Sequence, residues 1–245
     1  GFCHLNVSGT GMSDLGELTV MPANGPLKIN AGTQNNHMKG YSSLYRKEKE
    51  IVSPGYYNVF LERYNINVEL TASKRVGLHR YIYPKSQTSR IIIDLGEGSA
   101  DRPTETYLRK INDTLFEGYR FSTGWAVDQR EFFSVVVSKP VENFLLYDRG
   151  RKIKANEKKG KYVKGFLEFK TDEQEEVFFK MGVSNVSMEN ALENLITEVP
   201  GWNFEKVHNS AISDWNRELS KIKIKTNDLK RKKIFYTAMY HTMIA

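Results

Sequence analysis

The chain has 245 residues, of which 40% are hydrophobic and 27% charged, with a formal net charge of +7. That length holds one large domain, or one domain and part of another, and an aromatic content of 12% with recurring apolar runs excludes an intrinsically disordered chain. The single cysteine, Cys3, excludes an intramolecular disulfide and a cysteine-rich zinc site, and no run reaches the roughly 18 apolar residues that cross a bilayer.

The chain opens at Gly1-Phe2-Cys3-His4 without a start methionine or signal peptide. It closes at Ile244-Ala245 inside a helical pattern, so both ends are expected to be cut from a longer protein. From about residue 17 to 183 the dominant signal is short alternating segments with turns between them. Tyr57, Val59 and Leu61 share one face; after a turn at Arg63-Tyr64-Asn65, so do Ile66, Val68, Leu70 and Ala72, which is the signature of a hairpin with one buried side. Further strands are expected over Arg90–Leu95, Thr114–Phe121, Phe132–Ser138, Phe144–Tyr147, Phe166–Phe169 and Val177–Val183. Many short strands about ten residues apart predict an antiparallel sandwich or barrel. Strands that are apolar on both faces favour two stacked sheets.

Lys and Arg are scattered apart from a dense stretch over Arg151–Lys164. There, Glu157-Lys158-Lys159-Gly160 is expected to be a solvated hairpin tip between Ile153 and a strand over Gly165–Lys170, not a nucleic-acid surface. After Ser187 the period changes. Met188–Glu198 reads as a helix stopped by Pro200-Gly201. Phe204, Val207, Ala211, Trp215, Leu219 and Ile222 form one stripe of a second helix, over about Asn203–Lys221. Ile234, Phe235, Ala238, Met239 and Met243 form a stripe on a third helix, which Asn227 or Asp228 can cap.

Portable catalytic motifs are absent: there is no His-Glu-x-x-His, Walker A, Gly-x-Ser-x-Gly or calcium loop, and Gly9-Thr10-Gly11 lacks the third glycine of a dinucleotide fingerprint. Among the five histidines, His4 stands out because it precedes Ser8-Gly9-Thr10-Gly11. That run of hydroxyls, exposed amides and glycines suits close approach to a polyhydroxylated ligand, although a plain turn has the same composition. The acidic neighbours Glu48 with Glu50, and Glu175 with Glu176, do not indicate the separated pair of carboxyls that a glycosidase needs.

Several segments together resemble glycoside hydrolase family 92. Gly1–Gly11, followed by Ser13-Asp14-Leu15-Gly16 and Met21-Pro22, is similar to that family's GFSHTHLSGTG…SDLG…MP segment. Ser53-Pro54-Gly55-Tyr56-Tyr57, the hairpin Glu69–Pro84, Phe121–Ala126 leading to Ser138-Lys139-Pro140, Pro200–Phe204 and Phe235–Thr242 resemble later blocks in order. The chain departs from the pattern at Cys3, Asn6 and Lys47, where the family has Ser, His and His.

The resemblance implies a mainly β fold, namely a large antiparallel β-sandwich (supersandwich) over 1–187, incomplete at its start, then a helical linker over 188–226 and the first helix of an (α/α)6 barrel over 227–245. It implies removal of terminal α-linked mannose, often α-1,2, by an inverting, calcium-dependent reaction. The catalytic carboxyls and the Ca2+ ligands belong to the barrel beyond Ala245, so this chain alone is expected to be inactive. The sandwich is expected to be one wall of the mannose pocket, with His4, Asn6, Ser8, Thr10, Asp14 and, less directly, Glu48 contacting hydroxyls or holding the loop. On this reading His4→Ala impairs turnover and leaves thermal stability nearly unchanged. The expected partners are a mannose-containing glycan and the barrel of the same protein, with no nucleic acid and no transmembrane segment. The resemblance also implies a secreted, periplasmic or cell-surface location. The rival reading is a non-catalytic carbohydrate-binding or docking sandwich; it predicts helices whose apolar stripes are covered within the module.

Overall fold

The computed structural model describes residues 1–6, 15–33, 35–98 and 101–244. Its strands are β1 (Leu5–Asn6), β2 (Leu15–Glu17), β3 (Thr19–Ala23), β4 (Ile51–Ser53), β5 (Tyr56–Leu61), β6 (Ile66–Ala72), β7 (Val76–Tyr83), β8 (Ser86–Asp94), β9 (Arg102–Lys110), β10 (Leu115–Thr123), β11 (Gln129–Val137), β12 (Asn143–Asp148), β13 (Arg151–Ile153), β14 (Glu157–Gly160), β15 (Val163–Thr171) and β16 (Glu175–Ser184). Helices α1 (Met188–Glu198), α2 (Phe204–Leu219) and α3 (Leu229–His241) follow.

The strands build a nine-stranded antiparallel sheet, in the order β14-β9-β10-β11-β16-β7-β6-β5-β4, and a five-stranded sheet, in the order β13-β12-β15-β8-β3. One apolar core joins them. Val59, Val68, Tyr81, Phe179, Val135 and Phe116 from the larger sheet meet Ile91, Ile93, Phe166, Leu146 and Val20 from the smaller. Burying a side chain of this size stabilises by roughly 1.5–3 kcal/mol, so the contact between sheets dominates the fold. This is the two-sheet sandwich that the alternation predicts.

The outer face of the large sheet carries a second, smaller core of Val76, Leu78, Leu195, Val199 and Phe204, where the helices pack. Gly182 permits this approach, because a Cβ there would lie 2.3 Å from the Ala191 carbonyl oxygen. Side-chain caps start each helix: Ser187 Oγ accepts from the Asn190 N–H, Asn203 Oδ1 from Lys206 and Asp228 Oδ1 from Arg231. The third helix buries no residue; Leu229 is 78% exposed and Ile234 59%. Its stripe is therefore uncovered by this chain, contrary to what a self-contained binding module predicts.

Two local expectations change. Glu157–Gly160 is not a hairpin tip but strand β14, paired with β9 at the edge of the nine-stranded sheet. Alternating lysines fit an edge strand, since only one side must pair and charge discourages further pairing. Strand β9 itself is hidden in the sequence, because Thr104, Glu105, Tyr107 and Arg109 dilute its apolar period.

Candidate functional site

The first segment pairs with β3, an edge strand of the five-stranded sheet. Phe2 exchanges backbone hydrogen bonds with Val20, the His4 N–H donates to the Glu17 carbonyl, and β1 pairs with β2. Residues 7–14, which hold Ser8, Thr10 and Asp14, lie outside the described residues, and for Asn6 only the backbone is described. The chain thus leaves at Asn6 and returns at Leu15, its partner in the β1–β2 pair. Between β2 and β3, Leu18 takes a φ of 51°, unusual for leucine, and its side chain is fully buried.

That turn aims the Leu18 carbonyl at His4, whose Nδ1 lies 2.9 Å from it. A carbonyl only accepts, so the proton of a neutral His4 sits on Nδ1 and Nε2 is a bare acceptor. The ring stacks on His79 of β7, with centroids 4.9 Å apart and planes at 9°, and tilts against Phe179 at 6.0 Å. Gly77 makes the room, since a Cβ there would approach His4 Cδ2 to 2.9 Å. His79 Nδ1 shares a 2.6 Å hydrogen bond with the Tyr81 hydroxyl. Burial holds His4 neutral by lowering its pKa to about 4, against a smaller upward pull from the Leu18 carbonyl. Burial, and then the neighbouring His4, depress His79 as well. His4 Nε2 is buried and has no hydrogen-bond partner among the described residues, an arrangement that suits acceptance of one hydroxyl proton.

His4, Gly77 and His79 line a cleft of about 420 Å³ with Tyr57, Leu70, Ser73, Gly55 and Tyr240 of α3. Tyr57, which lines the cleft, donates to Glu50 Oε1 at 2.6 Å; Glu48 lies exposed on the 3-10 turn Lys47–Lys49, and neither acid lines the cleft itself. A larger groove of about 1100 Å³ runs between α2 and the turn joining β6 to β7, where Arg75 Nε meets Glu198 Oε1 at 2.7 Å.

Beside the cleft lies a buried charge node. Arg120 of β10 is fully buried; its Nη1 contacts Glu17 Oε2 at 2.7 Å and an Asp101 carboxyl oxygen, and its Nε donates to the Leu95 carbonyl at 2.9 Å. Ser122 donates to Glu17 Oε1 at 2.7 Å. Glu131 opposes Arg120 across the β10–β11 pair and accepts from Asn185 at 2.5 Å. Burial, with help from the Glu17 charge, pushes the Glu131 carboxyl up to about 7, and burial also raises Glu17. Glu17 and Glu131 each accept a side-chain hydrogen bond, whereas Glu17 Oε2, Asp101 Oδ1 and Arg120 Nη2 are buried without a hydrogen-bond partner among the described residues. All of these groups lie largely out of reach of a ligand in solution, so they are not placed for acid–base work on it. Two residues past Thr123, the loop between β10 and β11 presents Trp125, 82% exposed, with Val127, 88% exposed, two residues further on. Among the described residues, no group of three His, Cys, Asp or Glu stands close enough to hold a metal ion.

The model of the glycosyl hydrolase family 92 N-terminal domain matches residues 1–184, and that of the family 92 catalytic domain matches residues 190–245. The chain belongs to glycosyl hydrolase family 92. It superposes on the family GH92 alpha-mannosidase BT3965 from Bacteroides thetaiotaomicron with a TM-score of 0.91 and 32% identity, over 95% of this chain and 32% of that one. The same TM-score and identity hold for that enzyme in complex with mannoimidazole, over 96% and 32%. The GH92 glycosyl hydrolase ccman5 shares the fold at a TM-score of 0.87 and 22% identity, over 98% and 34%. The chain therefore spans about a third of the length of these solved structures. Among curated protein sequences none matches it.

Within this family frame, the structure stacks His4 on His79, which sequence reasoning did not select; Glu50 is joined to the cleft-lining Tyr57, and the Glu17–Arg120 node is linked to His4 through the Glu17 backbone carbonyl. Trp125 was visible only as part of a family block; its exposure, a tertiary property, is what marks it. No described helix is long and apolar enough to cross a membrane.

The buried ring also changes half of an expectation. His4→Ala empties the space between His79 and Phe179 and leaves the Leu18 carbonyl without its donor. A stability loss of about 1–3 kcal/mol is expected alongside any loss of turnover, and thermal unfolding of wild type and variant measures it.

Buried neutral histidines impose a pH dependence. The unfolded chain protonates them near 6.5 and the folded chain only near 4 for His4, so their contribution is complete above 6.5 and is lost as pH falls toward 4, about 3 kcal/mol for His4. Glu131 acts in the opposite sense over the same window. Its folded value near 7 exceeds the usual 4.5, so the folded state gains stability as pH falls. The two trends offset each other in the wild type. Glu131→Gln is expected to uncover the histidine loss, with an unfolding midpoint that drops more steeply between pH 6.5 and 4.5 than that of the wild type. An unchanged slope would show that Glu131 titrates alike in the folded and unfolded chain.

Proposed function

We propose that the full-length protein is an exo-acting α-mannosidase and that this chain supplies the sandwich wall of its sugar pocket. The observation that carries the reading is family 92 membership across nearly the whole chain, together with 32% identity to an α-mannosidase also known in complex with mannoimidazole. His4 Nε2 accepts a sugar hydroxyl, and Trp125 offers an apolar face to the ring. Asn6, Ser8, Thr10 and Asp14 contribute further polar contacts from the same loop. Such contacts orient the sugar and exclude water, and the bond is broken by carboxyls from the barrel. The α-1,2 preference, the inverting course and an extracytoplasmic location belong to this proposal. So does Ca2+, for which the described residues assemble no ligand set; calcium would be held by the rest of the protein and would act there on the sugar.

The test is mannose release by the full-length protein from α-1,2-, α-1,3- and α-1,6-mannobiose, with and without a chelator. Release from the α-1,2 isomer, abolished by chelation and restored by Ca2+, is expected. Binding of mannan without release from any isomer would transfer the reading to a carbohydrate-binding wall without catalysis.

A further inference from the structure

The segment 149–164 carries eight Lys and Arg residues and one acid, so its charge alone equals the +7 of the entire chain and the rest of the sequence is neutral. The fold makes this a surface. Arg149 sits at the turn between β12 and β13; β13 is the last strand of the five-stranded sheet, and β14 the last of the nine-stranded sheet. The chain therefore crosses from one sheet to the other along a single side of the sandwich and lines it with cations.

Only two of the eight are neutralised: Lys159 pairs with Glu105 at 2.9 Å and Lys164 with Asp94 at 2.7 Å. Arg149, Arg151, Lys152, Lys154, Lys158 and Lys161 have no ion-pair partner among the described residues. The nearby acids are engaged, since Glu157 accepts from the Tyr107 hydroxyl and Asp148 from the Tyr162 N–H at 3.0 Å. Protecting a sheet edge from further pairing takes a charge or two per strand. Six unpaired cations on adjoining edges create a concentrated positive field whose cost is recovered when anions bind.

We propose that this ridge binds an anionic polysaccharide, a chain bearing closely spaced sulfate or carboxylate groups, separately from the mannose pocket. The shape favours an extended polymer, because the cations follow two strands of three and four residues that each run roughly 10–13 Å. A bilayer is disfavoured: Ile153 packs against the core, and Tyr162, 37% exposed between Arg149 and Lys161 at 6.0 and 5.8 Å, is a single aromatic and does not make the apolar face that would enter lipid. Nucleic acid is disfavoured because the ridge offers no helix for a groove and no row of aromatics for base stacking.

The experiment measures binding of the full-length protein to immobilised heparin and to polygalacturonate over a range of NaCl concentrations. Its variant replaces Arg151, Lys152, Lys154 and Lys158 together by Gln. A control replaces Lys39, Lys47, Lys85 and Lys170, which are exposed elsewhere. Expected are salt-sensitive binding to at least one polymer, at least about tenfold weakening and a shallower salt slope in the ridge variant, and little change in the control. Mannobiose turnover is expected to be equal in all three proteins. Absence of binding to both polymers, equal weakening in the control, or tighter binding to a 20-base-pair duplex or to phosphatidylserine vesicles than to either polysaccharide would overturn the proposal. None of these outcomes bears on the mannosidase reading, which turnover alone tests.

Discussion

Replacing Arg120 by methionine in the full-length protein is expected to destabilise the sandwich by about 3–5 kcal/mol, the cost of removing one partner from a buried ionic node. Arg120 and Glu17 are both fully buried, and Asp101 is nearly so. Without the guanidinium, two carboxyls must take up protons or draw in water, and the Leu95 carbonyl loses its donor. Unfolding by urea, followed for wild type, Arg120→Met, Glu17→Gln and the double variant, tests this. The double variant is expected to recover part of the loss, because it removes a stranded charge with its partner. Strict additivity would mean that the two residues do not interact. The node has a second consequence. Glu17 belongs to β2, the strand to which residues 7–14 return, and Ser122 of β10 holds the same carboxyl at 2.7 Å. Arg120 therefore ties the proposed sugar loop to the strand that leads into the Trp125 loop. Loosening it is expected to raise KM more than it lowers kcat.

Trp125→Ala is expected to have the opposite profile: a fall of about tenfold or more in kcat/KM, near 1.4 kcal/mol, with unfolding unchanged. At 82% exposure the indole contributes little to the fold, so its removal exposes no core. A large exposed aromatic is worth such a loss only if something stacks on it, and a sugar ring presents a suitable apolar face. Trp125→Phe, which keeps a ring, is expected to restore much of the activity. If Ala and wild type turn over mannobiose alike, the Trp125 loop lies outside the pocket. If Ala also unfolds more readily, the residue packs against another part of the full-length protein.

The architecture was legible because it follows from local periodicity. The alternation over Tyr57–Leu61 and Ile66–Ala72 has one physical solution, a hairpin buried on one face, and the stripe from Phe204 to Leu219 has one solution as a helix. Ser187 and Asp228 are legible as caps for the same reason, as their partners lie three residues away. Strand β9 was not legible, since its buried positions include Thr106 and only Pro103 and Leu108 among apolar residues. The lysines of β14 read as a turn because nothing within that segment reveals that β9 lies beside it.

The candidate site divides along the same line. His4 could be singled out from the sequence because the run of glycines and hydroxyls follows it directly. That its ring is neutral, with Nδ1 protonated and Nε2 bare, depends on Leu18, His79 and Phe179, which are 14, 75 and 175 positions away in the chain. The node of Glu17, Asp101 and Arg120 is likewise three ordinary charged residues until the two sheets close over them. The sequence by itself determined the helices, most of the strands and a loop whose composition suits a sugar, because periodicity and capping act over a few residues. Only the tertiary structure decided which side chains lose water, which charges pair and which remain bare along the edge of the sandwich, because desolvation and Coulomb interactions depend on neighbours that the chain brings together only by folding.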